Sequence, residues 1–198
     1  MAPFRFISPR SSIILGAVLL AAVTRLVPHP PNFAPITAIA LFGAATLTDK
    51  RVAVLVPLLA LFVSDLCLAA MHQMGLTASQ GIYSGMWMTY SAFLLITLMG
   101  FLLRGRRTVP AIVGMTLAGS VVFYLWTNFW FWALWPLYPY TLEGLLACYT
   151  AAIPFFRNTV LGDAVFGTVL FGGFALAERL WPILRELPSI RTPEHAQG

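Results

Sequence analysis

Charge is what this chain has least of. Only 10% of its 198 residues are Asp, Glu, Lys or Arg and 59% are hydrophobic, whereas about a quarter of a soluble domain is charged. A mean hydropathy of +0.83 excludes an ordinary soluble domain and fits one small membrane domain. Cysteine is nearly absent as well. Cys67 and Cys148 sit in apolar surroundings without a CxxC or Cys/His spacing, so no disulfide or zinc site is indicated. The three histidines are not at metal-ligand spacing, and the chain has no Ser-x-x-Lys, HExxH, paired-Asp motif, Walker lysine or GxGxxG. These absences point away from an enzyme, a resident metal and a bound cofactor. They also mean that any ATP-driven process needs a separate chain.

What the sequence does have is a series of apolar runs. A bilayer core of about 30 Å takes about 20 apolar residues in a helix, fewer when the flanks snorkel. Six candidates meet this over residues 11–27, 35–48, 52–71, 83–103, 109–132 and 158–181. The first follows Arg5 and Arg10 but lacks a cleavage site, so it reads as a retained helix. It stops at Pro28-His29-Pro30-Pro31, where the missing donors and the restricted preceding residues end a helix. Residues 133–157 are too long for a turn and too proline-interrupted for a clean crossing. Their aromatic first part reads as an interfacial belt, and residues 142–155 as a short helix that dips into the membrane and ends at Pro154. The expected architecture is all-α: a tail over 1–10, six transmembrane helices within 11–182, and a disordered tail within 183–198.

The basic residues orient this arrangement. Arg5 and Arg10, Lys50 and Arg51, Arg104, Arg106 and Arg107, and Arg179, Arg185 and Arg191 all fall on one side of a six-span chain. The positive-inside rule makes that side, with both termini, cytoplasmic. The charges flank helices and form no stripe with aromatics, so the pI near 9.7 does not indicate nucleic-acid binding.

Ionisable groups inside a membrane are costly and mark function by default. Arg25, His29, Asp65, His72, Glu143, Arg157 and Asp163 map to the outer half or outer loops and are expected to converge on an outward-facing pocket. Against this stands mutual pairing, for example of Arg157 with Asp65 or Asp163, which would merely pin helices together. The proposed start of the last helix places Arg157 and Asn158 where free N–H groups favour an anion, though Asn158 also suits a plain N-cap. Tyr83, Tyr90 and Asn128 offer hydrogen bonds around an aromatic-lined cavity. On the first helix, Ala17 and Ala21 make a small-xxx-small face for close helix approach, inside the monomer or on a partner.

The run Arg25-Leu26-Val27-Pro28-His29-Pro30-Pro31-Asn32-Phe33-Ala34-Pro35-Ile36, followed by residues 38–43, resembles a helix junction of small six-helix bacterial membrane proteins. These are related to the substrate-binding S components of energy-coupling factor (ECF) vitamin transporters. Thr127-Asn128-Phe129, Tyr138-Pro139 and the stretch 144–163, with Cys148-Tyr149, Ala152-Ile153-Pro154-Phe155 and Asn158, are similar to one branch of that group of transport proteins. The resemblance covers residues 15–174. It implies an S-component-like bundle in the bacterial inner membrane that binds a vitamin-like small molecule near its outer face. It also implies docking of Ala17 and Ala21 onto an ECF-type transmembrane and ATPase module. His29, Asp65, Tyr83 and Arg157 compare with polar pocket residues of solitary cobalamin-handling relatives, which makes cobalamin the leading candidate, although residues 78–83 lack the cysteine that ligates cobalt in one variant.

The substrate-binding set expected is therefore His29, Asp65, Tyr83, Asn128, Arg157, Asn158 and Asp163, in a membrane transport protein. The rival readings are a membrane enzyme acting on a lipid or isoprenoid, for which Glu143 with Asp163 is the best carboxylate pair, and a structural subunit of an envelope complex.

Overall fold

The computed structural model describes residues 8–185. Six antiparallel helices run through it: α1 (Pro9–Leu26), α2 (Ile36–Thr46), α3 (Lys50–Gln73), α4 (Met86–Leu103), α5 (Val109–Leu134) and α6 (Leu142–Leu180). No strand occurs among the described residues. Five of the helices are long and apolar enough to cross a membrane, and α2 is the short one. The terminal tail residues from 186 onward, and the start of the amino-terminal tail, lie outside the described residues.

Local sequence sets the helix starts. The Ser8 hydroxyl accepts from the Ser11 N–H, and Pro9 follows at the first helical position. Asp49 accepts from the N–H groups of Arg51 and Val52 to start α3. Thr108 and Thr141 do the same for α5 and α6. Each supplies an oxygen to a first-turn donor that has no intrahelical partner.

Helix α2 organises the bundle. Its 11 residues span about 16 Å at 1.5 Å per residue, half of a bilayer core, and every residue from Thr37 to Thr46 is buried. A helix apolar all round has no face for solvent and sits in the core. Its neighbours approach closely because small residues face it. A Cβ on Gly119 of α5 would lie 2.6 Å from the Thr37 methyl, and one on Gly100 of α4 would lie 2.7 Å from the Ala44 Cβ. Without a hydrophobic drive between helices in lipid, such contact supplies the packing energy. Around it, Phe42 meets Phe171 and Phe174 edge-on, and Leu41, Ile96 and Phe93 complete the interior.

Both ends of α2 are inside the protein, and both are met by charge. At its C-terminus Arg104 donates from Nε to the Ala44 carbonyl at 2.8 Å, from Nη2 to Leu47 at 2.6 Å and from Nη1 to Thr48 at 3.1 Å. At its N-terminus stands Asp163.

The last helix departs from the sequence expectation. In place of a re-entrant segment and a helix over 158–181, one helix of 39 residues begins at Leu142 and runs to Leu180, about 58 Å long. It passes straight through Pro154. One lost donor costs less than exposing a whole turn of unpaired backbone in an apolar setting, which is why prolines persist in membrane helices. The same holds for Pro57 inside α3. Near its far end α6 widens into a π-helical turn at Thr168–Gly172. Asn158 is therefore no cap, and Arg157 stands at no helix start.

At one end of the bundle Arg10 forms an ion pair with Glu178 at 2.5 Å and donates to the Leu184 carbonyl, while Arg107 lies 3.7 Å from the same Glu178. The first and last described residues thus share one end, the one that also holds Lys50, Arg51 and Arg104. The opposite end carries the aromatic belt, with Trp87 against Trp130, Phe131 stacked on Trp135 and Trp132 against Tyr140.

Candidate functional site

Two helix stripes and one loop build the site. On α5, Thr116, Ser120, Phe123 and Thr127 recur at helical spacing. On α6, Ala152, Phe156, Thr159 and Asp163 do the same, and the two stripes face each other. The Ser120 hydroxyl donates to Asp163 Oδ2 at 2.7 Å, and the Tyr124 and Phe156 rings lie 4.7 Å apart.

The loop between α1 and α2 closes the third side. Asn32 adopts a φ of 62°, the left-handed conformation that asparagine tolerates better than most residues. The turn it makes is held by Asn158 of α6, whose Nδ2 donates to the Pro31 carbonyl at 2.9 Å. One helical turn on, Gly162 lets the Phe33–Ala34 backbone lie against α6, where a Cβ would come within 3.2 Å of the Ala34 nitrogen.

Asp163 is fully buried. The backbone N–H groups of Thr37 and Ala38 and the Thr37 hydroxyl face its carboxylate, so α2 presents its positive dipole end to a negative charge. Its second oxygen, Oδ1, has no hydrogen-bond partner of ordinary geometry among the described residues. A buried carboxylate oxygen left that way costs free energy unless a ligand, a water or a proton completes it.

Space exists on both sides of this carboxylate. On the aromatic side a cleft of about 90 Å³, lined by Asn32, Thr127, Asn128, Phe155 and Thr159, adjoins a small void of about 20 Å³ bounded by Asn32, Thr37 and Asp163. On the basic side a groove of about 340 Å³ between α5 and α6 runs from Asp163 past Thr116 and the π-helical turn to Arg107.

Of the residues expected from sequence, Asn128 lines the cleft, Asp163 the void beside it, and Asn158 holds the loop. The others lie elsewhere. Asp65, on α3, is paired with Arg25 at 2.6 Å and accepts from the Tyr90 hydroxyl at 2.6 Å, and Arg25 also donates to Ser64. This closed cluster ties α1, α3 and α4 together, so the pairing of Asp65 with Arg157 does not occur. Tyr83 is exposed and bonded to Thr89 at 2.8 Å, and His29 is exposed with Nδ1 at 2.9 Å from the Pro30 carbonyl. Arg157 is exposed and has no ion pair or hydrogen bond among the described residues. The seven expected residues do not converge on one pocket: three stand at the cleft, its void and its loop, and His29, Asp65, Tyr83 and Arg157 lie outside it. Glu143 and Asp163 do not meet either, since they are more than five turns apart on one continuous helix, about 30 Å.

Ala17 and Ala21 line a second apolar groove of about 330 Å³ between α1 and the π-helical region of α6. Ala21 is buried in the core and Ala17 half-buried, so this small-residue face is partly used inside the monomer. Sequence reading missed Asn32, Thr37, Ser120 and Thr159. For Ser120 and Thr159 a signal was present, Thr116, Ser120 and Thr127 recurring at four and seven on α5 and Thr159 standing four before Asp163 on α6, whereas Asn32 and Thr37 belong to no such stripe. No group of His, Cys, Asp or Glu among the described residues is arranged to hold a metal ion.

Five apolar spanning helices round a buried half-length helix and a carboxylate with cavities on both sides define a multi-pass helical membrane protein. Residues 6–184 match the family of unknown function DUF6580, and the chain belongs to that family. No curated protein and no solved structure matches it.

Proposed function

We propose that this chain is a membrane transport protein that passes a small solute by way of Asp163. One observation carries the reading: the same buried carboxylate lines the small void that adjoins the polar cleft on the aromatic side and the groove on the basic side. A buried group reached from two sides is what alternating access requires, and irregular backbone at membrane depth is tolerated where it borders a cavity. The π-helical turn at Thr168–Gly172 forms a wall of the basic-side groove, and such turns occur often at functional sites.

The resemblance to S components supports solute uptake in a bacterial inner membrane, with the basic end cytoplasmic. In this reading the chain is no enzyme. An ECF-type ATPase module, where one is used, docks along the groove that Ala17 and Ala21 line. The cleft bears on substrate size. A drug-sized ligand takes about 300–1,000 Å³, whereas the cleft holds about 90 Å³. Cobalamin far exceeds that volume, so a small solute stands ahead of it.

The test is uptake by proteoliposomes containing the purified chain, alone and with an ATPase module, across a panel of vitamins and small polar solutes that includes cobalamin and cobinamide. Uptake of one class that is lost in Asp163→Asn and retained in Arg157→Ala supports the reading. No uptake of any solute by well-folded protein with or without the module overturns it.

A further inference from the structure

We infer that the cleft beside Asp163 is a binding site for a small organic cation carrying a primary ammonium group. The inference rests on the cleft being a solute site, and it names the chemistry of the solute.

The Thr127 hydroxyl donates to the Phe123 carbonyl at 2.7 Å and the Thr159 hydroxyl to the Phe155 carbonyl at 3.1 Å. The Tyr124 hydroxyl donates to the Tyr149 carbonyl at 2.6 Å, and Asn128 Nδ2 donates to the Tyr124 carbonyl at 2.8 Å. These donor hydrogens are thereby committed to helix backbone. What remains is hydroxyl lone pairs and the Asn128 side-chain oxygen at the cleft, and the incompletely bonded Asp163 carboxylate at the void beside it. The uncommitted side-chain donors are few, those of Asn32 and the second hydrogen of Asn128 Nδ2. No Lys, Arg or His lines the space.

A surface of acceptors selects a ligand rich in donors, and an ammonium group brings three N–H donors and no acceptor. Charge points the same way. The amides of Thr37 and Ala38 and the Ser120 hydroxyl answer part of the Asp163 charge and leave Oδ1 without a hydrogen-bond partner of ordinary geometry among the described residues. The orphaned Oδ1 is fully buried, and a cation answers it better than a neutral donor. The walls are the rings of Phe123, Tyr124, Phe155 and Phe156, whose faces attract a cation. The cleft of about 90 Å³ equals roughly three waters at about 30 Å³ each, which suits an ammonium head with one or two carbons.

The experiment is thermal unfolding of the purified protein in detergent, followed by intrinsic tryptophan fluorescence. Methylammonium chloride is the probe, against sodium chloride, potassium chloride, acetamide and sodium acetate. With about 100 mM methylammonium the midpoint is expected to rise by about 4 °C over the salts, which corresponds to millimolar affinity. Acetamide and acetate are expected to give no rise. The rise is expected to vanish in Asp163→Asn and to shrink in Thr159→Val, which keeps the side-chain shape. Should Asp163→Asn fail to fold, Thr159→Val and Asn128→Ala decide the matter. An equal rise with sodium, potassium or acetamide, no rise with methylammonium, or a rise untouched by these substitutions overturns the inference. Methylammonium binding without uptake leaves this inference standing and sinks the transport reading. Asp163-dependent uptake of a neutral or anionic solute does the reverse.

Discussion

Asp163 and Arg104 cap opposite ends of the same buried helix. The carboxylate faces the first amides of α2, and the guanidinium takes the carbonyls of Ala44, Leu47 and Thr48. A half-length helix surrounded by protein cannot pass its terminal groups to water, so its dipole ends and orphan groups must be answered by side chains. Here each end receives the charge of the matching sign.

Arg104→Met removes three hydrogen bonds to carbonyls while keeping much of the side-chain volume. A hydrogen bond to a charged group contributes about 1.5–3 kcal/mol, and the stranded acceptors add a further penalty. The variant is expected to lose about 3 kcal/mol or more in detergent unfolding, with Arg104→Lys intermediate because an ammonium cannot span three carbonyls. Equal stability of Arg104→Met and the parent would show that α2 does not depend on this cap.

The Arg25–Asp65–Tyr90 cluster makes a different prediction. Breaking a buried ion pair by removing one partner typically costs about 3–5 kcal/mol, whereas replacing both with apolar groups is often nearly neutral. Arg25→Leu and Asp65→Leu are each expected to lower stability strongly, and the double variant to recover much of the loss. An additive double-mutant cycle would mean that the two charges do not interact. Uptake, measured in the double variant, is expected to persist, because this cluster lies away from the cleft.

The helical class and the apolar spans were legible because composition and hydrophobic runs report the surroundings of a segment. So were the clustering of basic residues at one end and the aromatics at the other. The site was legible only in part. Asp163 and Asn128 stand out as polar residues inside apolar runs, but partner choice is a three-dimensional matter. Arg25 reaches Asp65 across 40 positions, and nothing local distinguishes it from Arg157 as the partner. The proline rule misplaced the last helix, since Pro154 breaks helices in water far more readily than in an apolar environment. Sequence length alone also hid the role of α2: a mostly apolar run of fourteen residues, 35–48, reads as a short span, when its burial on all sides makes it the axis of the bundle.

Gly81 provides a test of the loop between α3 and α4. Its φ is +69°, and a Cβ there would lie 2.2 Å from the Asp65 carbonyl oxygen and 2.4 Å from the Ala69 nitrogen. Backbone cannot yield as a side chain does, so Gly81→Ala is expected to cost about 3 kcal/mol or more. Gly105 has a φ of +72° but open space around it, so Gly105→Ala is expected to cost only about 1 kcal/mol. Matching losses at the two sites in unfolding experiments would mean that the loop does not press on α3.

Accessibility on the two sides of Asp163 separates a transport route from a sealed core. Cys67 and Cys148 are the native thiols, and their replacement by alanine gives a background for single cysteines. Thr127→Cys places a thiol in the cleft, Thr168→Cys one in the groove on the other side of Asp163, and Arg106→Cys one at the basic end as a sidedness marker. A membrane-impermeant maleimide added to oriented vesicles is expected to label Thr127→Cys from the face opposite to Arg106→Cys. Labelling of Thr168→Cys is expected only from the basic face, with the two faces differing at least ~10-fold in rate for each site, since reaction requires a hydrated thiolate. Saturating methylammonium is expected to slow the reaction at Thr127→Cys and leave Arg106→Cys unchanged. Labelling of Thr127→Cys and Thr168→Cys from the same face would place both cavities on one side of the barrier and remove Asp163 from the role of divider.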